Sequence, residues 1–305
     1  MAINADTLLD RLYLKSQITR WRILAFVCAV IAVVAVFERF SAASPIQREF
    51  IARITFDGFI GDDRDIYELI DDVAQNPKAK AIIVWLDTPG GSAVGGEEIF
   101  LRLRAAAKDK PVVAVMRSIS ASAGYMIALA ADHIVAREGT ITGSIGVIIE
   151  SAEITELAQN LGIQPIVIKS SALKASPNPL EKSTPEAESV LRGVIMDFHK
   201  RFVDMVAERR PISRQEALQL ADGRVYSGRN AVKHKLIDSI GGEEEAVQWL
   251  IKNGKINSSL KIKDISLDEK KDWLEAISQS VAGKFFQKSR LGLDGLVAIW
   301  HPELK

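Results

Sequence analysis

The chain holds a single cysteine, Cys28, so it cannot close a disulfide on itself and stands apart from small cross-linked secreted scaffolds. Its four histidines and that cysteine show no zinc spacing, and no motif asks for another cofactor. Neither sign of charge is in excess: Lys plus Arg and Asp plus Glu are 39 each. No positive field is therefore available to hold a nucleic acid backbone, and nucleic acid is not an expected partner. Internal repeats and low-complexity linkers are missing as well. What is present is 305 residues with 48% apolar and 26% charged side chains, enough to bury a large core and to exclude a disordered chain.

The apolar residues are unevenly spread. Ile23 to Phe37 is an unbroken apolar run of fifteen residues framed by Trp21, Arg22, Glu38 and Arg39. At about 1.5 Å per residue it reaches ~22 Å, short of the ~30 Å hydrocarbon core. Trp21, Phe40 and a snorkelling Arg22 extend it at the interfaces. Arg11, Lys15, Arg20 and Arg22 precede the run against Asp6 and Asp10, while Glu38 and Arg39 cancel after it. The Lys/Arg bias places the N-terminus in the cytoplasm and everything after residue 40 outside the cell (inner) membrane, in a single pass. A cleaved signal peptide is the competing interpretation, since Ser41-Ala42-Ala43 offers small residues for cleavage. The long, acid-containing leader favours an uncleaved anchor. A buried core helix is the weaker alternative, since the run has no polar stripe.

From residue 50 on, short β-branched runs alternate with helical patterns: FIARITF, Asp65 to Asn76, AIIVWLD, Glu97 to Ala107, PVVAVM, Ala121 to Ala131. Strands that read as continuous apolar runs between helices indicate an α/β fold with a parallel sheet covered on both faces. From Thr184 the chain is mostly helical, with a long amphipathic stretch from Pro185 to Arg210 and a helix from Ser213 to Ala221 whose Glu216 completes a capping box. Another helix is expected over Leu267 to Lys288, and the apolar tail LVAIW suggests docking to a partner or to the body. The expected divisions are a cytoplasmic segment at 1–22, an anchor at 23–40, a catalytic domain at 50–255 and a helical tail at 256–305.

Strand AIIVWLD runs into Asp87-Thr88-Pro89-Gly90-Gly91-Ser92, read as a sharp turn at the carboxyl end of a parallel strand, where α/β sheets open ligand crevices. Gly90 and Gly91 let backbone amides approach a ligand, though an ordinary βα turn has the same look. The next strand leads into Arg117-Ser118-Ile119-Ser120-Ala121-Ser122-Ala123-Gly124-Tyr125. Ser122 opens a helix, where serine is most often an N-cap; a nucleophile there would have the following amide at hand for an oxyanion. A nucleophilic serine needs a base. His133 is eleven residues along from Ser122, about 16 Å if helical, and His199, His234 and His301 have no orienting acid. The sequence also departs from a G-x-S-x-G elbow, so a Ser-His-Asp triad is set aside. Strand PIVIKS leads instead to a loop that sets Lys174 among Ala172, Leu173 and Pro177. Loop lysines are usually solvated, so this alone is weak.

DTPGGS, SISASAGY, TITGSIGVI at 140–148, IKSSALKASP and ADGRVYSGRNAVKHKLIDSIGG at 221–242 share their order and spacing with the signal peptide peptidase A (protease IV) family of Ser-Lys peptidases. The resemblance covers about residues 50 to 250, in a short single-copy form. It implies a Clp protease/crotonase-like fold, with Ser122 as nucleophile, Lys174 as general base and Ser144 as the hydroxyl that orients the lysine. It implies oxyanion donors at Gly91 and the Ala123 amide, with Gly90 beside them. It also implies apolar peptide substrates such as signal peptide remnants, and a ring or dome of identical copies, with contacts sought from residue 184 on. Three positions depart from the pattern: Ala123 replaces a glycine, Leu173 an aromatic and Ala175 an acid.

An ordinary lysine of pKa about 10.4 needs about 4.6 kcal/mol to be neutral at pH 7. Only an apolar, water-poor setting removes most of that cost. The scheme therefore expects Lys174 to be enclosed. Two rivals remain: a crotonase-type acyl-CoA enzyme, which an export segment disfavours because acyl-CoA is cytoplasmic, and a catalytically silent membrane scaffold.

Overall fold

A computed structural model describes residues 18, 21–29, 49–254 and 256–267, and the backbone of 297–299. The chain divides into two units, Met1–Arg48 and Glu49–Lys305. In the first, α1 (21–29) is helical and exposed throughout. The rest of the expected 23–40 anchor lies outside the described residues, among which no helix is long and apolar enough to cross a membrane.

The second unit runs β1 (Phe50–Ile60), α2 (Arg64–Gln75), β2 (Ala79–Ser92), α3 (Ala93–Ala106), β3 (Val112–Ala121), α4 (Ala123–Ala128), β4 (His133–Ala136), β5 (Ile141–Gly143) and α5 (Thr155–Asn160). It continues with α6 (Pro185–Arg209), α7 (Arg214–Leu220), β6 (Val225–Ser227), α8 (Gly228–Lys233), β7 (Ser239–Ile240), α9 (Glu243–Lys252), β8 (Lys261–Ile265) and β9 (Val297–Ile299). The main path of the sheet is β6-β5-β3-β2-β1-β8, with β4 and β7 branching from β3 and β9 from β2. Pairing is parallel along β8-β1-β2-β3 and from β3 to both β4 and β5. Among the described residues, only β6 and β9 run antiparallel to their partners.

The expected α/β architecture is therefore present, and alternation along the strands shows how both faces are covered. Ile82, Val84 and Leu86 of β2 face the large cluster that includes Ile99 and Leu103 of α3, Tyr125 of α4 and Phe202 of α6. Ala81 and Ile83 face the other side, where Ala246 and Leu250 of α9 cover them. A strand buried on both faces has no position for a polar side chain, which is why AIIVWL reads as a continuous run.

Long-range polar ties lock the helical second part onto this sheet. Arg209 donates to the carbonyls of Leu129 and Ala131 just beyond α4. Arg210, nearly buried, makes a two-pronged pair with Asp238, whose carboxylate also accepts the Ile134 amide. The Tyr125 hydroxyl donates to the Leu236 carbonyl at 2.9 Å. Burial raises the Tyr125 pKa, so the phenol stays a donor. The capping box expected at Ser213 and Glu216 forms in both directions.

Three expectations are revised. DTPGGS is not a sharp turn: β2 continues through it to Ser92, passing a register shift between Leu86 and Thr88 and still pairing with β1 at Gly91. PIVIK forms no strand; residues 163–169 lack regular structure, and no strand among the described residues pairs with them. The 256–305 tail, expected to be helical, begins with β8, which extends the sheet beyond β1; apart from Leu267, the expected helix at Leu267–Lys288 lies outside the described residues.

His133 ties three elements together. Its ring stacks on Trp249 of α9 at 5.0 Å, and Nε2 is 2.9 Å from Ser239 Oγ of β7. Burial holds its pKa below the ordinary 6.5, outweighing the attraction of Asp238, while Arg210 also lowers it. The unfolded chain thus protonates first as pH falls, so the contribution is complete above about 6.5 and lost on acidification. Urea unfolding at pH 7.5 and 5.5 is expected to show a smaller loss of stability for His133→Phe, which keeps the stacking, than for the unsubstituted chain. An equal loss in both would show that His133 does not titrate across this range.

Candidate active site

The site is built where β2 and β3 part. Thr88, fully buried, anchors the end of β2: its Oγ1 donates to the Gly58 carbonyl at 2.5 Å and accepts the Gly90 amide at 3.1 Å. Gly90 sits at φ 122°, a backbone that L side chains avoid. At Gly91 a Cβ would lie 2.1 Å from the Ile60 carbonyl oxygen, so only glycine lets β1 and β2 approach this closely. Ser92 then caps α3 by accepting the Gly95 amide.

β3 forks. Val113 to Met116 pairs with β4, and Ile119 to Ala121 pairs with β5. Two buried threonines hold the second branch: Thr140 Oγ1 donates to the Arg117 carbonyl at 2.6 Å and Thr142 Oγ1 to the Ser120 carbonyl at 2.7 Å. At the end of this branch the Ser122 amide donates to the Gly143 carbonyl at 2.9 Å, and the Ser144 amide to the Arg224 carbonyl at 2.9 Å. The serines of SISASAGY and TITGSIG are thus brought into one frame.

Ser122 is not an ordinary helix cap. Asp63, Ser92, Thr184, Ser213 and Ser227 each accept an amide of the helix they precede. Ser122 accepts none, and its backbone sits at φ 53°, ψ −116° instead of the extended region of a normal cap. The residue is 1% exposed, and its Oγ is buried without a hydrogen-bond partner. Backbone strain of this kind costs about 1–3 kcal/mol, and an unpaired buried hydroxyl about as much again. Such combinations collect at functional sites. Ser144, 7% exposed, repeats the strain at φ 49°.

Ala123 opens α4 with its amide outside the helix's own ladder. It is not among the positive-φ residues, so an alanine serves where glycine is usual. Gly124 lets α4 settle on the β2 bend; a Cβ there would stand 2.6 Å from Thr88 Cγ2.

Lys174 departs from expectation. It is exposed, with no ion pair or hydrogen bond through Nζ, and it does not reach Ser122, whose hydroxyl has no partner. The enclosure expected from Ala172, Leu173 and Pro177 is not formed around Lys174: residues 170–175 are all exposed, although Pro177 beyond them is half-buried. The residue after it, Ala175, takes φ 52°. Lys169 is the lysine held in this region: it pairs with Glu181, and with Asn178 it draws that carboxylate's pKa down. That leaves Lys174 as the amine of this loop with no partner among the described residues. His133 and His199 are engaged elsewhere, the latter with the Ala221 carbonyl, and neither touches Ser122.

Thr88, Thr140, Thr142 and Tyr226 were missed from sequence. The signal was available for the threonines, since buried β-branched hydroxyls flanking glycines are suited to tying strand ends. The Tyr226 ring packs over Gly143, where a Cβ would be 2.6 Å from Cδ2.

Gly143 sits at φ 82° beneath that ring and supplies the carbonyl that fixes Ser122. Gly143→Ala is expected to cost about 1–3 kcal/mol in urea unfolding, whereas Gly139→Ala, with open space around it, should stay within about 0.5 kcal/mol. Equal stability of the two variants would show that the Gly143 turn is not under this constraint.

The model of peptidase family S49 matches residues 104–257. A protein named as a protease from Synechocystis sp. is 37% identical over 204 residues, covering 66% of this chain and 73% of its own. Another from Methanocaldococcus jannaschii is 34% identical over 210 residues, covering 69% and 67%. The chloroplastic serine protease SPPA of Arabidopsis thaliana is 30% identical over 226 residues, 72% of this chain and 33% of that one. The match to the family model takes in Ser122, Ser144, Lys174 and the helical second part together, and the chain belongs to peptidase family S49, as a serine peptidase.

Proposed function

We propose that the chain is a membrane-anchored endopeptidase in which Ser122 and Lys174 act as nucleophile and general base. The observation that carries this is the Ser122 hydroxyl, buried, strained and unpartnered beside the first amide of α4. Neutral Lys174 Nζ takes the Oγ proton as Oγ bonds to the scissile carbonyl carbon. The amides of Gly91 and Ala123, with Gly90 shaping the approach, hold the resulting oxyanion. Collapse breaks the C–N bond, and the Lys174 ammonium returns its proton to the leaving amine. Water, deprotonated by the same amine, then hydrolyses the acyl-serine. Ser144 accepts or donates a hydrogen bond that aims Nζ. No metal or cofactor enters the scheme.

The base must first be brought in and enclosed. The segment carrying it presents Ile166 and Ile168 at 87% and 93% exposure, with Leu157, Leu161 and Ile163 also exposed. Val190 and Val194, one turn apart on the N-terminal half of α6, are exposed too, whereas the C-terminal half of that helix is buried at Phe202 and Val206. Apolar surface on this scale is what a second copy of the chain would cover. Assembly through it turns the 163–176 segment onto a Ser122 and removes water from Lys174. Substrates on this reading are extended apolar peptides, including signal peptide remnants. The apolar run at 23–37 tethers the site to the cell membrane, with the N-terminus cytoplasmic and the peptidase domain outside.

Ser122→Ala and Lys174→Ala, made separately, are each expected to lower kcat/KM on a fluorogenic apolar peptide at least about a thousandfold. Wild-type turnover in both would refute the assignment, as would a fluorophosphonate label mapped to another residue. Ile168→Asp is expected to shift the detergent-solubilised chain to a smaller species in light scattering and to reduce turnover with it. A side chain this exposed should be neutral if the single chain were the working form, so unchanged size and rate would remove the assembly proposal.

A further inference from the structure

Between Leu161 and Ala175 every residue is exposed except one, and that one is a lysine, Lys169. Lysine is almost never turned inward unless it is paired. The Lys169 side chain, 13% exposed, pairs with Glu181, and its Nζ also donates to the Ala172 carbonyl at 3.4 Å. Asn178 Nδ2 donates to Glu181 and, at 2.8 Å, to the Ala175 carbonyl. The two carbonyls held in this way belong to the residue two places before Lys174 and to the residue after it. Inside the frame the Lys174 amide donates to the Ser171 carbonyl at 3.2 Å and the Ser176 amide to the Leu173 carbonyl at 3.3 Å. The far side is fastened to the chain just before α5, where the Ile154 amide donates to the Pro179 carbonyl at 2.9 Å.

We infer that Lys169 and Glu181, with Asn178, are positioning residues for Lys174: their ion pair clasps the loop into one shape and balances the charge beside its amine. This rests on the reading of Lys174 as general base proposed above and adds what prepares it. A base on a free loop would have to be ordered at the moment it meets Ser122, whereas a clasped loop arrives already shaped. The charge balance acts alongside the shape. A positive group near Lys174 disfavours a proton on it and a negative group favours one, so a complete pair leaves neither effect dominant. Lys169 first and Asn178 second hold the Glu181 carboxyl below its ordinary pKa, which keeps the carboxylate side of the clasp charged at neutral pH. The other charged groups around the clasp are Lys182, which is exposed, and Glu153, Glu188 and Arg192, which border the same cavity as Glu181.

The test compares Lys169→Met, Glu181→Gln and Lys169→Arg in the detergent-solubilised full-length chain, through the pH profile of kcat/KM on the fluorogenic apolar peptide. All three leave the charged groups outside the pair in place. Glu181→Gln keeps the shape of the carboxylate but leaves Lys169 without its counter-charge, so the acid limb is expected to move down by about half a pH unit. Lys169→Met leaves Glu181 without one, and the limb is expected to move up by about as much. Each of these two lowers kcat about tenfold with KM changed less than about twofold, whereas Lys169→Arg stays near the unsubstituted chain in rate and limb. A merely structural pair would cost both variants rate without moving their limbs in opposite directions. Limbs that stay in place, or that move the same way, therefore overturn the inference whatever happens to kcat. Hydrogen exchange over residues 170–176, read by mass spectrometry in the chain carrying Ser122→Ala, needs no turnover: Lys169→Met is expected to speed it at least about tenfold. Unchanged exchange would remove the clasp. Faster exchange together with wild-type turnover in Lys174→Ala would sink the base assignment and leave the clasp standing. Turnover abolished by Lys174→Ala, with limbs and exchange indifferent to the pair, would do the reverse.

Discussion

A single backbone hydrogen bond, from the Ser122 amide to the Gly143 carbonyl, decides the layout of this site. It fastens the last residue before α4 to the last residue of β5, at a point where β3 can go no further along β2. With the amide so directed, the chain can enter α4 only by passing through φ 53° at Ser122. That turns the hydroxyl away from the helix amides it would otherwise cap. The Ser122 hydroxyl's lack of a partner is thus a consequence of sheet topology. The glycines follow from the same crowding: Gly91 against β1, Gly124 against Thr88 and Gly143 against Tyr226 are places where three strands and a helix converge with no room for a Cβ.

The strain is maintained from a distance. Tyr125, Arg209 and Arg210 bind α4 and the chain just beyond it to α6 and to the 235–238 segment. A helix of six residues could not hold a strained entry by itself, since its own ladder contributes few bonds. The second, helical part of the peptidase therefore works as a brace for the first, and its long helix divides accordingly, with a buried C-terminal half and an N-terminal half that faces outward.

Much of this was legible in the sequence. AIIVWL, PVVAVM and FIARITF announced doubly covered strands because burial on both faces leaves a continuous apolar run. Ser213 with Glu216 announced a helix start because its two hydrogen bonds are local. Ser122 and Ser144 could be placed near strand ends, although their strain could not, because φ at Ser122 is set by β5 twenty residues away. The misjudged segments share a cause. DTPGGS looked like a turn because glycine and proline usually break strands, yet Thr88 splints it from the side. PIVIK has the composition of a strand but no strand partner among the described residues. β9, the described part of the LVAIW tail, pairs with the far end of β2, and no local pattern in the tail encodes so distant a partner.

The two halves of the proposed dyad are in unequal states, and the inequality has a physical meaning. Ser122 is completed inside the fold: its backbone, its neighbouring amide and its desolvated hydroxyl are fixed by contacts that a single chain supplies. Lys174 lies on the exposed 170–175 loop, outside any enclosure that the described residues supply. Neutralising a lysine of ordinary pKa at pH 7 costs about 4.6 kcal/mol, far more than any one loop contact returns. Only burial of a broad apolar surface offsets such a cost, at about 25 cal/mol per Å², and the exposed isoleucines and leucines around residues 157–168 are that surface. On the proposed scheme the serine is prepared in advance and its base would arrive with assembly, so Ser122 owes its state to contacts within one chain and Lys174 would owe its own to a neighbour.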